Sequence, residues 1–170
     1  MKAGVKVGDA LPWVGMGVAA LAALDGSDPR RSRVGYAAAE AGAMAFLVGT
    51  GLKYAIGRAR PEAGLGSGNF QAFSTDTNHQ AFPSRHAIVA WAVATPFARE
   101  YGANWLYGAA ALTTLARVGS REHWVSDSVA GSLLGYAVGR IFHESSRAHG
   151  KGAPRVMLER NGIKLAWALD

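Results

Sequence analysis

The stretch REHWVSD, Arg121 to Asp127, sets a histidine and an aspartate four residues apart, and Arg117 stands six residues before the histidine. At a helix start, side chains at i and i+4 face the same way. A carboxylate that accepts from one imidazole nitrogen fixes the tautomer and leaves the other nitrogen free to attack. The same residues would serve equally as a solvated ion pair at a helix N-terminus. Two other clusters raise the same choice. In KYAIGRARP, Lys53 and Arg60 are seven residues apart. On a helix that is two turns, about 10.5 Å, with both cations on one side. An arginine fork and a lysine point charge together suit a phosphoryl group, although a basic helix end also needs no other purpose than the helix dipole. In FPSRH, Phe82 to His86, Ser84 reads as an N-cap whose neighbouring N–H groups point at an anion site. His86, in the first turn, is then placed to protonate a leaving alkoxide, or is incidental to the cap.

These clusters need a frame. Five helical segments are expected, at about 12–24, 34–58, 84–99, 104–117 and 126–144, in a chain of 170 residues that is half apolar and rich in Ala and Gly. Small residues at that density suit closely packed helices. The polar segment 61–84 between the second and third helices is long enough to be functional or disordered. The second helix should stop where Pro61 disfavours helix before it. The stretch VMLERNGIKLAWAL alternates on both sides of Asn161-Gly162, a hairpin signal that pairs Arg160 with Ile163, Glu159 with Lys164 and Leu158 with Leu165. The expected fold class is therefore an all-α bundle of about five helices with a C-terminal β-hairpin. The expected domains are a helical one over 1–150 and a hairpin extension over 151–170.

Helices joined by short connections tend to run antiparallel. The end of helix 2, the start of helix 3, the end of helix 4 and the start of helix 5 then share one face. That face collects Lys53, Arg58, Arg60, Ser84, Arg85, His86, Arg117, Arg121, His123 and Asp127. The opposite face collects the basic clusters at 30–33, 99–100 and 145–155. With no cysteine, a disulfide framework, a thiolate metal site and a cysteine nucleophile are all excluded. The net charge of +6 favours an anionic partner, but no nucleic-acid-reading element accompanies it. The apolar runs are shorter or more interrupted than the roughly 20 residues of a spanning helix. The N-terminus is signal-like, with Lys2 and Lys6 before an apolar run, but Asp9 and Pro12 interrupt it.

Taken together, the three clusters supply anion binding, a proton donor and an oriented nucleophile, which matches phosphoryl transfer from an ester. Here the sequence resembles the type 2 phosphatidic acid phosphatase superfamily, which also contains the vanadium haloperoxidases and bacterial acid phosphatases. The signature of that family is K-x6-R-P, then P-S-G-H, then S-R-x5-H-x3-D. This chain has Lys53…Arg60-Pro61, Pro83-Ser84-Arg85-His86 and Arg117-x5-His123-x3-Asp127, in order and with the same internal spacings. The resemblance covers roughly 34–143. It implies that Lys53, Arg60 and Arg117 bind phosphate oxygens, with Ser84 and the backbone N–H of Arg85 adding hydrogen bonds. It implies that His86 protonates the leaving group, that His123 attacks phosphorus to form a phosphohistidine, and that Asp127 orients His123. Two positions depart from the pattern: Arg85 replaces the glycine of the second motif, and Ala116 the serine before Arg117.

The resemblance implies a phosphatase acting on a phosphate monoester or pyrophosphate, with a phosphorylated lipid as its substrate. No metal or other cofactor is expected; vanadate would be an inhibitor, or the cofactor if the chain is a vanadate-dependent haloperoxidase. Expected localisation is a bacterial-type cell membrane with the active site facing the periplasm or exterior. The same motifs also suit a soluble periplasmic acid phosphatase of broad specificity, and an inactive membrane scaffold would retain most of them. Among the remaining residues, His79, His143 and His149 read as solvated, and Glu40 as the partner of an arginine.

Overall fold

A computed structural model describes the backbone of residues 2–148, 155–159 and 162–166, and the side chains of residues 9–148. Its body is five α-helices: α1 (Lys2–Ala23), α2 (Pro29–Ile56), α3 (Arg85–Tyr101), α4 (Trp105–Gly119) and α5 (Val125–Ala148). The helix count agrees with the sequence reading, but the starts of the first two helices do not. α1 begins about ten residues earlier than expected and carries Pro12 in its interior. A proline there forfeits a backbone hydrogen bond, but its ring is fully buried, and α1 packs on α2, α3 and α4. α2 starts at Pro29 because Asp28 caps it, its carboxylate accepting from the N–H groups of Arg30 and Arg31. Within DGSDPR, residues 25–30, the helix start is therefore a cap followed by proline at the first helical position.

α3 lies at the centre, flanked by α2 and α5. The core is built from Ala19, Ala38, Ala41, Ala45, Ile88, Val89, Ala92 and Val93. α5 approaches α3 on a row of glycines spaced by four residues. A Cβ on Gly131, Gly135 or Gly139 would stand 2.7, 2.2 or 2.6 Å from the carbonyl oxygens of Ser84, Ile88 and Ala92. Those glycines let the two backbones touch, which fixes the start of α5 beside the start of α3.

The long segment between α2 and α3 is folded. α2 ends on Gly57 in the left-handed conformation (φ 60°), and a Cβ there would collide with the Gln71 carbonyl. The strand-like stretch that follows is pinned by Ala59 N–H to Asn69 O (2.9 Å), Arg60 N–H to Asn78 O (2.8 Å) and Ala81 N–H to Arg58 O (2.9 Å). His79, which reads as solvated in the sequence, is buried and bonded to Asn69 Oδ1 at 3.0 Å.

The fold class needs one correction. The fold is an all-α bundle, and the short C-terminal strands form no part of it. The two short strands of the C-terminal region, Arg155–Glu159 and Gly162–Ala166, pair only with each other. Their register places Met157 opposite Lys164 and Leu158 opposite Ile163, so neither the Glu159–Lys164 pair nor the Leu158–Leu165 pair exists. Among the described residues, neither strand makes an extensive contact with any helix. Alternation alone specifies a register only where one face is buried. The expected Arg160–Ile163 pair and the turn at Asn161 lie outside the described residues.

Candidate active site

One end of the bundle gathers the ends of α2 and α4 and the starts of α3 and α5. Lys53, in the last turn of α2, is almost fully buried, and its Nζ donates to the Gln80 carbonyl. Burial first, then the cations of Arg60 and Arg85, bring its pKa down to about 7. Helical spacing puts Arg60 on the same helix face as Lys53. Instead it lies beyond the helix, which ends at Ile56, and reaches the site because the folded loop turns back. Its Nη1 lies 3.3 Å from both Glu62 Oε1 and Glu122 Oε2. Arg117, in the last turn of α4, is buried and ion-paired with Glu122 and Asp9. Glu122 Oε2 thus joins Arg60 to Arg117, as an oxygen of a bound anion would.

His123 precedes α5 rather than standing on it, and it is buried. The hydrogen bond expected between its ring and Asp127 is not formed. Nδ1 donates to the Ala81 carbonyl at 2.6 Å, with Asp127 Oδ2 at 4.0 Å. The sequence reading rests on a helical i, i+4 geometry, whereas residues 120–124 form a turn that swings the ring toward the 57–84 loop. The outcome for the ring is similar, since a donating Nδ1 leaves Nε2 with its lone pair. Burial, followed by the charge of Lys53, holds the imidazole far below its ordinary pKa, so it is neutral.

Asp127 is completely buried and fastens the site together. Its carboxylate accepts from Arg58 Nη1 (2.5 Å) and from the Trp124 N–H (2.8 Å), and its carbonyl accepts from the Ser84 N–H (3.0 Å). Burial pushes its carboxyl up, against the pull of Trp124 N–H and Arg58. Arg58, whose part the local sequence does not reveal, also donates to Ser126 Oγ at 2.8 Å and lies 5.7 Å from the centre of the Trp124 ring.

Ser84 is the N-cap of α3 and fully buried, but its hydroxyl caps nothing: Oγ has no partner among the described residues. His86 packs edge-on against Trp13 at 6.4 Å. Burial and then Arg85, Lys53 and Arg60 lower its pKa to about 4. The side chain of Arg85 runs away along α2, its guanidinium 4.7 Å from the centre of the Phe46 ring and 3.3 Å from Thr50 Oγ1. All eight residues of the three sequence clusters therefore belong to this end of the bundle. A cavity of about 480 Å³ opens there, lined by Asp9, Ala10, Trp13, His86, Arg117 and Glu122. Asp9 and Glu122 are the two site residues missed from sequence. Glu122 adjoins His123 and could have been found there; Asp9 could not, since only the packing of α1 brings it to Arg117. Among the described residues, no group of three or more histidine and carboxylate side chains is arranged to hold a metal ion.

The PAP2 superfamily model matches residues 34–151, more than half of the chain. The chain belongs to the PAP2 superfamily. It is also 33% identical over 104 residues to the lipid A 1-phosphatase of Porphyromonas gingivalis. That similarity covers 58% of this chain and 20% of the relative, so this PAP2 chain spans about a fifth of the relative's length. No solved structure matches it. The signature positions Lys53, Arg60, Ser84, His86, Arg117, His123 and Asp127 all lie within the matched span.

Proposed function

We propose that this chain hydrolyses the phosphate ester of a lipid without a metal ion, through a phosphohistidine on His123. The carrying observation is the His123 ring. Its Nδ1 is committed to the Ala81 carbonyl, and its neutral Nε2 is left among the cations Lys53, Arg60 and Arg117. The three cations bind the phosphoryl oxygens and stabilise the charge that develops as phosphorus is attacked. The free Ser84 hydroxyl and the N–H groups at the start of α3 add hydrogen bonds. Ala81 O, with the Asp127 carboxylate behind it, stabilises the ring as it gains positive charge. His86 is neutral in the free enzyme, and the negative charge of a bound phosphate raises its pKa so that it takes up a proton from solvent. It then gives that proton to the leaving oxygen, and afterwards takes one from the water that cleaves the P–N bond.

A second cavity supports the lipid part of this reading. It measures about 480 Å³, lies between α1, α3 and α4, and is lined almost wholly by apolar side chains, among them Leu11, Val18, Val93, Phe97 and Leu106. On α4 its lining includes Thr113, one turn before the Arg117 that lines the site cavity. The name of the relative also specifies a lipid phosphate. No helix among the described residues is long and apolar enough to cross a membrane. Membrane association of the bundle, with the site facing the periplasm or exterior, is supported by outward-facing apolar residues such as Leu21, Leu112, Leu115 and Leu133, each more than half exposed.

The test is phosphate release from a short-chain phosphatidate in detergent with EDTA, for the wild type and His123→Ala. Turnover that survives EDTA and drops by about 10⁴-fold or more in the variant is expected for a lost nucleophile. A variant as fast as the wild type would rule out His123 as the attacking group.

A further inference from the structure

We propose that Trp13 of α1 is a positioning residue for the leaving-group acid, its ring holding the His86 imidazole at the angle from which the proton is given. The inference rests on the reading of His86 as that acid. It adds to the site a residue from outside the span 34–151 that the family model matches. The two histidines of the site are held differently. His123 is fixed by the bond from Nδ1 to the Ala81 carbonyl. Among the described residues, no hydrogen bond holds the His86 ring; it rests on Trp13, with ring centres 6.4 Å apart and planes at 83°. An imidazole turns easily about its last side-chain bond, and an acid that must meet one oxygen cannot be left to turn.

The packing of α1 on α2 builds this contact. Trp13 and Met16 lie one turn apart on α1, and Gly42 and Phe46 one turn apart on α2. Gly42 leaves the room that Met16 fills, since a Cβ there would stand 2.2 Å from Met16 Sδ. That approach seats Trp13 edge-on against Phe46 at 5.9 Å, in contact with both Phe46 and His86. One turn before Trp13, Asp9 is ion-paired with Arg117 and ties the same part of α1 to α4. Asp9, Trp13 and His86 line one cavity. Tryptophan is highly buried on average, yet Trp13 is 48% exposed, so its removal takes little from the core.

In the step that Trp13 serves, the lone pair of His123 Nε2 forms the bond to phosphorus and the ester P–O bond breaks. Its electron pair stays on the leaving oxygen, which takes the proton from His86. An alkoxide needs that proton, because an alcohol has a pKa close to that of water, about 15.7. A phenoxide needs it far less, because a phenol resembles tyrosine, with a pKa of about 10. A fault in the acid therefore appears as a loss on alkyl esters that aryl esters escape in part. A fault in packing or in phosphate binding slows both alike.

Octyl phosphate and 4-octylphenyl phosphate carry the same tail on the two kinds of leaving group, so the ratio of their kcat/KM values, alkyl over aryl, reads the acid. His86→Ala should lower the ratio by on the order of 10²-fold or more, the weight of a general acid. Trp13→Ala should lower it by on the order of tenfold, since the acid remains but is displaced. Trp13→Leu, which fills more of the space without a flat ring, should behave as Trp13→Ala does. Trp13→Phe, which keeps an aromatic ring against His86, should hold the ratio within a fewfold. On the His86→Ala background, Trp13→Ala should leave the ratio where it is, because the two residues act as one unit. Thermal midpoints report folding. Trp13→Ala and Trp13→Leu enzymes with the wild-type ratio, or a Trp13→Ala change that lowers the ratio as much without His86 as with it, overturn the proposal and leave His86 as the acid. A His86→Ala enzyme with the wild-type ratio overturns the acid reading and this proposal with it.

Discussion

The two ends of the bundle carry similar residues arranged inside out. At the end opposite the site, a carboxylate sits in the middle. Glu100 has a side chain only 6% exposed, and it takes Arg30 Nε and Arg33 Nη2 at 2.7 Å and His143 Nε2 at 3.0 Å. The arginines stand at the rim, Arg30 being 55% exposed. At the site end, apart from the buried Asp127 that holds Arg58, the cations are inside and the carboxylates at the rim. The Arg117 side chain is 4% exposed, against 43% for Asp9 and 23% for Glu122. A buried anion ringed by cations is complete, and it ties α2, α3 and α5 together. Buried cations whose carboxylates face water can exchange them for a better anion, because those carboxylates recover hydration when displaced. On the proposed reading, stability lies at one end and binding at the other.

Removing the centre of the closed end should give the largest effect. Glu100→Ala strands Arg30, Arg33 and His143 and should cost about 3 kcal/mol, the lower range for a buried pair broken on one side. For a chain of this size that is a fall of about 6–12 °C in the thermal midpoint. The kcat of the folded variant should stay near wild type, because Glu100 touches nothing at the site. A variant that keeps its melting temperature would remove the distinction between the two ends.

A second test reads charge at the open end. Lys53 in the free enzyme has a pKa of about 7, because burial and the neighbouring arginines disfavour its cation. Since kcat/KM reports groups of the free enzyme, raising the pH through 7 deprotonates Lys53 and removes a phosphate ligand. We expect kcat/KM to fall by up to about tenfold per pH unit above 7, where a phosphate monoester is already dianionic. The fall in kcat should come at higher pH, since bound phosphate favours the protonated lysine. Lys53→Arg holds its charge throughout and should flatten the profile. A wild-type kcat/KM that is level to pH 9 would mean Lys53 keeps its proton.

How much of this was legible depends on whether a contact is local. The spacing of Arg117, His123 and Asp127 was readable, and so was the shared face, because short connections between helices leave little topological choice. The orientation of His123 was not. It depends on the Ala81 carbonyl, 42 residues away in sequence, which only the folding of the loop presents. Arg60 reaches the site by that same loop and not by helical periodicity. His143 reads as solvated because its partner Glu100 lies 43 residues away. Glu40, expected beside an arginine, forms no ion pair among the described residues; it is exposed on α2, and partial burial alone raises its carboxyl pKa. The C-terminal register was misread because the pairing is set by the turn and not by alternation: Glu159 lies opposite Gly162.

The smallest predicted effect bears most directly on the inside-out arrangement. If Glu122 occupies a phosphate position, it competes with substrate for Arg60 and Arg117, and its removal should tighten anion binding. Glu122→Gln keeps the shape and loses the charge. Inorganic phosphate, assayed as a competitive inhibitor, should then bind about fivefold more tightly, roughly 1 kcal/mol, the upper range for a rim-exposed ion pair. The opposite sign carries equal information. A Glu122→Gln variant that binds phosphate more weakly would show that the carboxylate aims the two guanidinium groups at the substrate. The rim carboxylates would then belong to the site's framework, as Glu100 belongs to the clasp at the other end.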